Sequence, residues 1–437
     1  MKTIEINKSS IANILEDLLQ RSPNNYEEYE QTVKDILNDV KVNKDEAVFK
    51  YTQKFDKADI HAENIRVTKA EIDAAYTQID EKLLMVIRKS LANIQAFHEK
   101  LRPKSWLDND ESGIILGQKA TPLANAGVYV PGGKAAYPSS VLMNIIPAKI
   151  AGVKRIAMVT PPDAHGKINE AVLVAANEAG VDEIYKVGGA QAIGALAYGT
   201  PSIAKVDIIV GPGNIYVALA KKAVYGLVKI DSIAGPSEIL VLADETANPR
   251  FVAADLLSQA EHDELASAIL VTTSKDLATA VAKEVAMLTV ELSRREIIRK
   301  SLAQFGYILI AKSMAEAIDV TNEIASEHLE IVTANPFEVL DKIENAGAVF
   351  MGSYSSEPLG DYFAGPNHVL PTNGTAKFFS ALGVADFMKM TSVIQYSKEA
   401  LEAVHEDIEY FARAEQLTAH AKSIAVRFEE GEANNDR

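Results

Sequence analysis

Across residues 113–351, short apolar, β-branched runs alternate with helical stretches. The runs at 156–160, 208–210, 239–242, 269–271, 307–310 and 348–351 are continuously apolar rather than alternating. A strand that is apolar on both faces must be covered on both faces, and helices are the usual connection between parallel strands. The pattern predicts an α/β fold with parallel sheets, and a chain of 437 residues has room for two. Gly and Pro collect where strands should end, at Val130-Pro131-Gly132-Gly133, Val210-Gly211-Pro212-Gly213 and Ala234-Gly235-Pro236. Such loops at carboxyl strand ends are where α/β sheets meet ligands.

The flanks have a different texture. The first 105 residues are polar with apolar positions at helical spacing, such as Ile11, Ile14, Leu18 and Leu19 after a cap at Ser9-Ser10. Residues 397–437 form an acidic helical arm with 10 acidic and 5 basic side chains. Its single stripe, Leu401, Val404, Ile408 and Phe411, must dock on its own chain or on a partner's. The uncharged stretch around 187–204 is broken by Gly188, Gly189, Gly194, Gly199 and Pro201, and reads as turns around a short buried helix, not a membrane span. The start, Met1-Lys2-Thr3-Ile4-Glu5-Ile6, is too polar for a signal peptide, so the protein is expected in the cytoplasm.

Composition removes whole classes of chemistry. With no cysteine there is no disulfide framework, iron–sulfur cluster, thiolate zinc site or cysteine nucleophile for an aldehyde. Any metal must be held by nitrogen and oxygen. The 44 basic and 60 acidic side chains give a net charge of −16, which argues against nucleic acid as a partner.

Four segments carry candidate chemistry. Asn248-Pro249 starts a helix on which Gln259 and His262 fall three apart, on one face; a polar surface helix is the bland alternative. Ser326-Glu327-His328 offers a carboxylate and an imidazole for proton transfer. On a regular strand the two would point to opposite faces, and an exposed helix C-terminus is an equal reading. The Gly- and Pro-rich residues 360–368 form a loop where Asp361 and His368 would meet, although Asp361 alone reads as a turn-former. Glu415 and His420 are five apart, about 140° around a helix, and reach one site only if the helix is interrupted or starts between them. His61, His98, His165 and His405 read as surface residues. No Gly-x-Gly-x-x-Gly follows a strand; Gly188-Gly189-Ala190-Gln191 and Gly211-Pro212-Gly213-Asn214 are the nearest places for backbone amides to approach a phosphate.

Taken together, the segments carry a resemblance that none carries alone. Residues 230–243, Ile-Asp-Ser-Ile-Ala-Gly-Pro-Ser-Glu-Ile-Leu-Val-Leu-Ala, lead to Ser258-Gln259-Ala260-Glu261-His262-Asp263. This stretch resembles the signature of the histidinol dehydrogenase family. Gly127-Val128-Tyr129-Val130-Pro131-Gly132-Gly133, the Gln191 and Asn214 loops, Ser326-Glu327-His328, Gly360-Asp361, Asn367-His368 and Glu415 to His420 follow in the family's order.

The resemblance implies an NAD-dependent, zinc-dependent four-electron oxidation of L-histidinol to L-histidine through the aldehyde, the last step of histidine biosynthesis. It implies zinc, one per subunit, on Gln259, His262, Asp361 and His420. Substrate contacts fall on Ser237, Gln259, His262, His328, Asp361, His368, Glu415 and His420, NAD contacts on Tyr129, Gln191 and Asn214, and acid–base roles on Glu327 and His328. It also implies two Rossmann-like globules, 25–110 with 238–380 carrying the metal and acid–base residues, and 111–237 binding NAD. A helical segment 1–24 and an arm 381–437 complete the chain, the arm crossing to the partner in a homodimer with shared sites. Two alternatives are a paralogue oxidising another small alcohol, such as a sulfonated diol, and a non-redox metal-dependent hydrolase or scaffold. Glu415 and His420 count against the first.

Overall fold

The computed structural model describes residues 1–19, 21, 27–110, 112–132 and 137–429; Gly133 of the first Gly-Pro loop, and the side chains of Ser9 and Ser10, lie outside what it describes. The strands are β1 (Lys2–Glu5), β2 (Trp106–Asn109), β3 (Ile114–Pro122), β4 (Asn125–Tyr129), β5 (Arg155–Thr160), β6 (Glu183–Lys186), β7 (Ile208–Val210), β8 (Lys229–Ile230), β9 (Glu238–Ala243), β10 (Ser267–Thr272), β11 (Gly306–Ile310), β12 (His328–Val332), β13 (Ala348–Met351) and β14 (Met388–Tyr396). Every apolar run expected as a strand is one. Two sheets are wholly parallel, a five-stranded one in the order β6-β5-β4-β7-β8 and a six-stranded one in the order β1-β11-β10-β9-β12-β13.

The two orders share one plan. Apart from the edge strand β1, the chain enters each sheet at an inner strand (β4, β9), steps outward twice on one side, then returns to the other. Each sheet therefore has a switch point, between β4 and β7 and between β9 and β12, where neighbouring connections leave in opposite directions and open a crevice. Both sheets are buried on both sides, which is why their strands lack alternation. Ile239, Val241, Ala268, Leu270 and Ile308 point to one core of the six-stranded sheet, and Leu240, Leu242, Ile269, Val271 and Leu309 to the other.

The contact pattern divides the chain into one unit of residues 1–102 and 123–387 and a second of 103–122 and 388–437. Packing redraws the divisions expected from the sequence. Val33, Ile36, Leu37, Val40, Ala47 and Val48, assigned with 238–380, instead cover the five-stranded sheet, in one core with Tyr129, Ile193 and Leu196. The opening segment is not only helical: β1 adds a parallel edge strand beside β11, 305 residues later in register (Lys2 with Tyr307). His98 is fully buried rather than on the surface, its Nδ1 2.9 Å from the Ile94 carbonyl. His405 is only partly exposed, against Phe428.

The second unit is built around an antiparallel sheet, β14-β3-β2, in which β14 pairs with β3 from Met388–Pro122 to Tyr396–Ile114. Residues 103–122 therefore belong with the C-terminal arm, since a long antiparallel ladder holds them there. Helices Lys398–Glu402, His405–Ala414 and Thr418–Ala425 follow. The unit exposes Leu107 (65 %), Ile394 (72 %), Tyr410 (78 %) and Phe411 (68 %). Among the described residues of the chain, no helix is long and apolar enough to cross a membrane.

One buried ion pair holds the turn after β7. Lys221 and Asp231 are paired with 3 % and 4 % side-chain exposure. Lys221 Nζ also donates to the Gly211 carbonyl at 2.9 Å, and Asp231 accepts the Gly211 N–H at 2.8 Å. Gly211 sits at φ +109°, and a Cβ there would lie 2.1 Å from the Tyr129 carbonyl oxygen, so only glycine fits. Lys221→Met leaves Asp231 buried and unpaired, and should cost about 3–5 kcal/mol, read as a lower urea midpoint. Lys221→Met/Asp231→Leu should recover much of that loss.

Candidate functional site

The six-stranded sheet turns its amino edge, not its carboxyl edge, toward the site. Ser237 precedes β9, Glu327 precedes β12, and His328 is the first residue of β12. The loops after β4 and β7 do lie at carboxyl ends, as expected. Pro131, Gly213 and Asn214 from these loops share one cavity of about 850 Å³ with Ser237, Gln259, His262, Glu327, His328, Asp361 and His368. The carboxyl edge of one sheet thus faces the amino edge of the other across a space of substrate and cofactor size.

Each candidate segment departs from regular structure where it reaches that cavity. The helix Pro249–Ala260, capped by Asn248 as expected, ends before His262. Gln259 and His262 are not one helical face: a tight turn, His262 N–H to the Gln259 carbonyl at 3.1 Å, brings them together. Gln259 Nε2 lies 3.4 Å and Ser237 Oγ 3.5 Å from His262 Nδ1. Gln259 is fully buried, and its Oε1 has no partner. Asp361 lies not in an open loop but in a π-helical turn, Gly360–Ala364, running on from the short helix Glu357–Leu359. Such wide turns re-aim side chains and recur at functional sites.

Glu327 and His328 escape the opposite-faces problem because only His328 is on the strand. Glu327 Oε2 accepts the Glu238 N–H at 2.8 Å and lies 3.6 Å from His328 Nδ1. The His328 Nδ1–H donates to the Glu238 carbonyl at 2.9 Å. That bond fixes the tautomer, leaving Nε2 as a lone pair. Nε2 is buried without a partner, 3.9 Å from Asp361 Oδ1. Burial, together with the neighbouring His262 and His368, pulls His328 down to about 4, so it is a neutral acceptor at pH 7. Burial pulls His368 to about 4 as well; its Nδ1 donates to the Asp361 carbonyl at 3.1 Å, and Nε2 meets Ser140 Oγ at 3.3 Å. Glu327 stands well above the usual carboxyl range, from burial first and then from the nearby Glu238, Asp361 and Glu357.

A group of acids behind these residues was not singled out in the sequence. Glu357 is 1 % exposed and accepts from Ser258 Oγ at 3.1 Å. The Glu357 N–H donates to Glu330 Oε1 at 2.8 Å. Ligand atoms of His328, Glu357 and Asp361 all lie within 4.8 Å of one another. Burial and the Asp361 carboxyl push Glu357 to about 9, and burial pushes Asp361 to about 6. Carboxyls forced together out of water invite a cation, and His262 and Asp361 offer nitrogen and oxygen donors of the kind a metal ion takes, at a cavity that Gln259 also lines. The spacing of Glu357 four before Asp361 on a helical turn was the only signal for it.

The remaining expected residues lie as follows. Tyr129, at the carboxyl end of β4, is buried, and its hydroxyl accepts the Gly189 N–H at 3.1 Å. Gln191 is fully buried with neither amide atom partnered. Asn214 caps the helix Ile215–Val224 and lines the cavity. Glu415 and His420 belong to the second unit and are exposed there. The helix breaks between them, with Gln416 at φ +62° and a new helix from Thr418, the interruption their spacing required.

The displaced acidity of Glu357 has a thermodynamic consequence. An unfolded chain ionises this group near 4.5, whereas the folded chain holds its proton to about pH 9. Between those values the native state binds more protons, so this contribution to stability, full below pH 4.5, is lost as pH rises to 9. Burial lowers His98, His262, His328 and His368, so these stay neutral from pH 7 to 9 and do not interfere. Chelator-treated protein should therefore lose stability across that window. Glu357→Gln should flatten the slope by at most about 1.4 kcal/mol per pH unit in urea titrations.

Comparison with known proteins places this geometry in a family. Residues 19–428 match the sequence profile described as histidinol dehydrogenase. A curated histidinol dehydrogenase from Caldanaerobacter subterraneus subsp. tengcongensis is 55 % identical, over 95 % of this chain and 96 % of its own. One from Bacillus subtilis is 57 % identical, over 92 % and 93 %. The crystal structure of histidinol dehydrogenase from Elizabethkingia anophelis superposes with a TM-score of 0.93 at 40 % identity, covering 98 % of each chain. The chain belongs to the histidinol dehydrogenase family.

Proposed function

We propose that this enzyme, an NAD-dependent oxidoreductase, converts L-histidinol through L-histidinaldehyde to L-histidine, the closing step of histidine biosynthesis. The observation that carries the mechanism is the fixed, neutral His328, its Nε2 lone pair unpartnered beside Glu327 at a cavity whose far wall is built from Gly-Pro loops at carboxyl strand ends. Each substrate consumes two NAD and one water and releases two hydrides and three protons.

His328 Nε2 takes the carbinol proton as the first hydride leaves for the nicotinamide. The His328 tautomer cannot flip while its Nδ1–H is held by the Glu238 carbonyl. Without cysteine the aldehyde is oxidised as its hydrate. Glu327, once ionised, takes a proton from the water that adds, and its raised basicity suits that task. Ser237 and His368 border the reacting carbon's side of the cavity, and Asn214 and the Gly188-Gly189 turn set by Tyr129 offer backbone to NAD. Gln259, His262 and Asp361, completed by His420, would hold the zinc. A bound ion would supply a Lewis acid suited to nitrogen donors such as the substrate's amine and imidazole.

His420 and Glu415 lie on the acidic arm, and the exposed apolar residues of that unit support a homodimer in which the arm reaches the partner's site. The absence of a membrane-crossing helix among the described residues agrees with a cytoplasmic enzyme.

Following NADH with histidinol and, separately, with the aldehyde tests the roles. His328→Ala should slow alcohol oxidation by about 10²–10⁴-fold. Glu327→Gln should slow aldehyde oxidation more than alcohol oxidation. Equal damage to both steps in both variants would reject this division of roles, and no NADH from histidinol with wild type would reject the function.

The crossed arm has its own test. His262→Ala and His420→Ala should each be inactive alone. If His420 acts in the partner's site, mixed dimers carry one intact site each, and equal mixing should restore about a quarter of wild-type activity. Verified subunit exchange with no recovery would show that the arm serves its own chain.

A further inference from the structure

Glu238 opens β9 and turns its N–H, its carbonyl and one carboxylate oxygen to the acid–base pair. Its N–H donates to Glu327 Oε2 at 2.8 Å, its carbonyl accepts from His328 Nδ1 at 2.9 Å, and its carboxylate accepts the Glu327 N–H at 3.4 Å. This carboxylate is 5 % exposed, meets the Glu327 main chain and acts electrostatically on the Glu327 carboxyl. A buried carboxylate in such company needs a fixed cation. Arg21 provides one from 217 residues away, its Nη2 donating to Glu238 Oε1.

Arg21 is held as firmly as it holds. It is 1 % exposed, Nη1 donates to the Leu265 carbonyl at 3.0 Å, and Nε donates to the Leu18 carbonyl at 3.3 Å. All three guanidinium nitrogens are engaged by protein, so a side chain at the wall of the active cavity is occupied away from the substrate. A guanidinium keeps its charge at any working pH and offers a rigid fork of donors, which a lysine ammonium cannot copy.

We infer that Arg21 is a positioning residue for proton transfer: by anchoring the Glu238 carboxylate it holds the strand end that aims Glu327 and His328. The inference rests on the acid–base roles given to those two residues above. Without Arg21, the Glu238 carboxylate stands unpaired beside Glu327, and either carboxyl must rotate or take up a proton. Both responses disturb the pair without touching the substrate's own contacts.

The full-length enzyme tests this with Arg21→Met, Arg21→Lys, Glu238→Gln and the double variant Arg21→Met/Glu238→Gln, each assayed per folded, zinc-loaded site beside wild type and His328→Ala. Arg21→Met should lower kcat by about 10–100-fold, the scale of a small misplacement, with the histidinol KM within threefold of wild type. Arg21→Lys should lie between. Adding Glu238→Gln to Arg21→Met should restore at least threefold of the lost kcat, because the unpaired charge is then gone. Arg21→Met with kcat within twofold of wild type, or a loss that Glu238→Gln does not relieve, would overturn the inference. Should Arg21→Met fail to fold, Glu238→Gln alone decides: at least a fivefold fall in kcat at unchanged KM supports it, and a change within twofold rejects it. A fully active His328→Ala would remove the acid–base reading itself, whereas a normal Arg21→Met beside a dead His328→Ala removes only the role of Arg21.

Discussion

The parallel pairing of β9 with β12 is the constraint on which the site depends. Its register sets His328 beside Ile239 and so brings Glu238 level with Glu327. A slip of one residue would turn His328 into the opposite core, because side chains alternate along a strand. The same register places His328 and Glu330 on the face covered by the helix Pro249–Ala260, and so near Asp255 and Gln259. Apolar residues on both faces, from Ile239 to Ala243, hold that register by burial.

Placing the chemistry at the amino ends of these strands has an electrostatic logic. Before a first parallel strand, main-chain N–H groups are not yet taken by the ladder. The Glu238 N–H holds the Glu327 carboxyl, and the Glu238 carbonyl accepts from His328 Nδ1. The five-stranded sheet presents its carboxyl ends to the same cavity, where Pro131, Pro212 and Gly213 bring backbone to the wall. Two parallel sheets thus contribute opposite edges to a single cavity.

The acids around Asp361 are an unfavourable arrangement for a folded chain alone. Asp255, Glu330, Glu357 and Asp361 are all pushed toward their protonated forms, chiefly by burial. Such a cluster persists because the cores on either side are large enough to hold it. Stability and function are opposed there, as they are at the unpartnered Gln259 Oε1 and His328 Nε2.

The sequence by itself determined what depends on local pattern. Continuous apolar runs located the strands, because a strand buried on both faces has no polar alternation to show. Asn248-Pro249 marked a helix start, and Gly211-Pro212-Gly213 marked a turn at a strand end. The motifs from Tyr129 to His420 were enough for the family resemblance. Only the tertiary structure decided which elements share a core and how the side chains meet. Residues 33–48 join the five-stranded sheet, and residues 103–122 join the arm, because hydrophobic burial and antiparallel pairing act between segments far apart in sequence. Arg21 carries no local signal, since its partner lies 217 residues on. Glu357 and the turn that aims Asp361 were hidden for a similar reason. A carboxyl's acidity depends on the charges and the burial around it, and those exist only once the chain has folded.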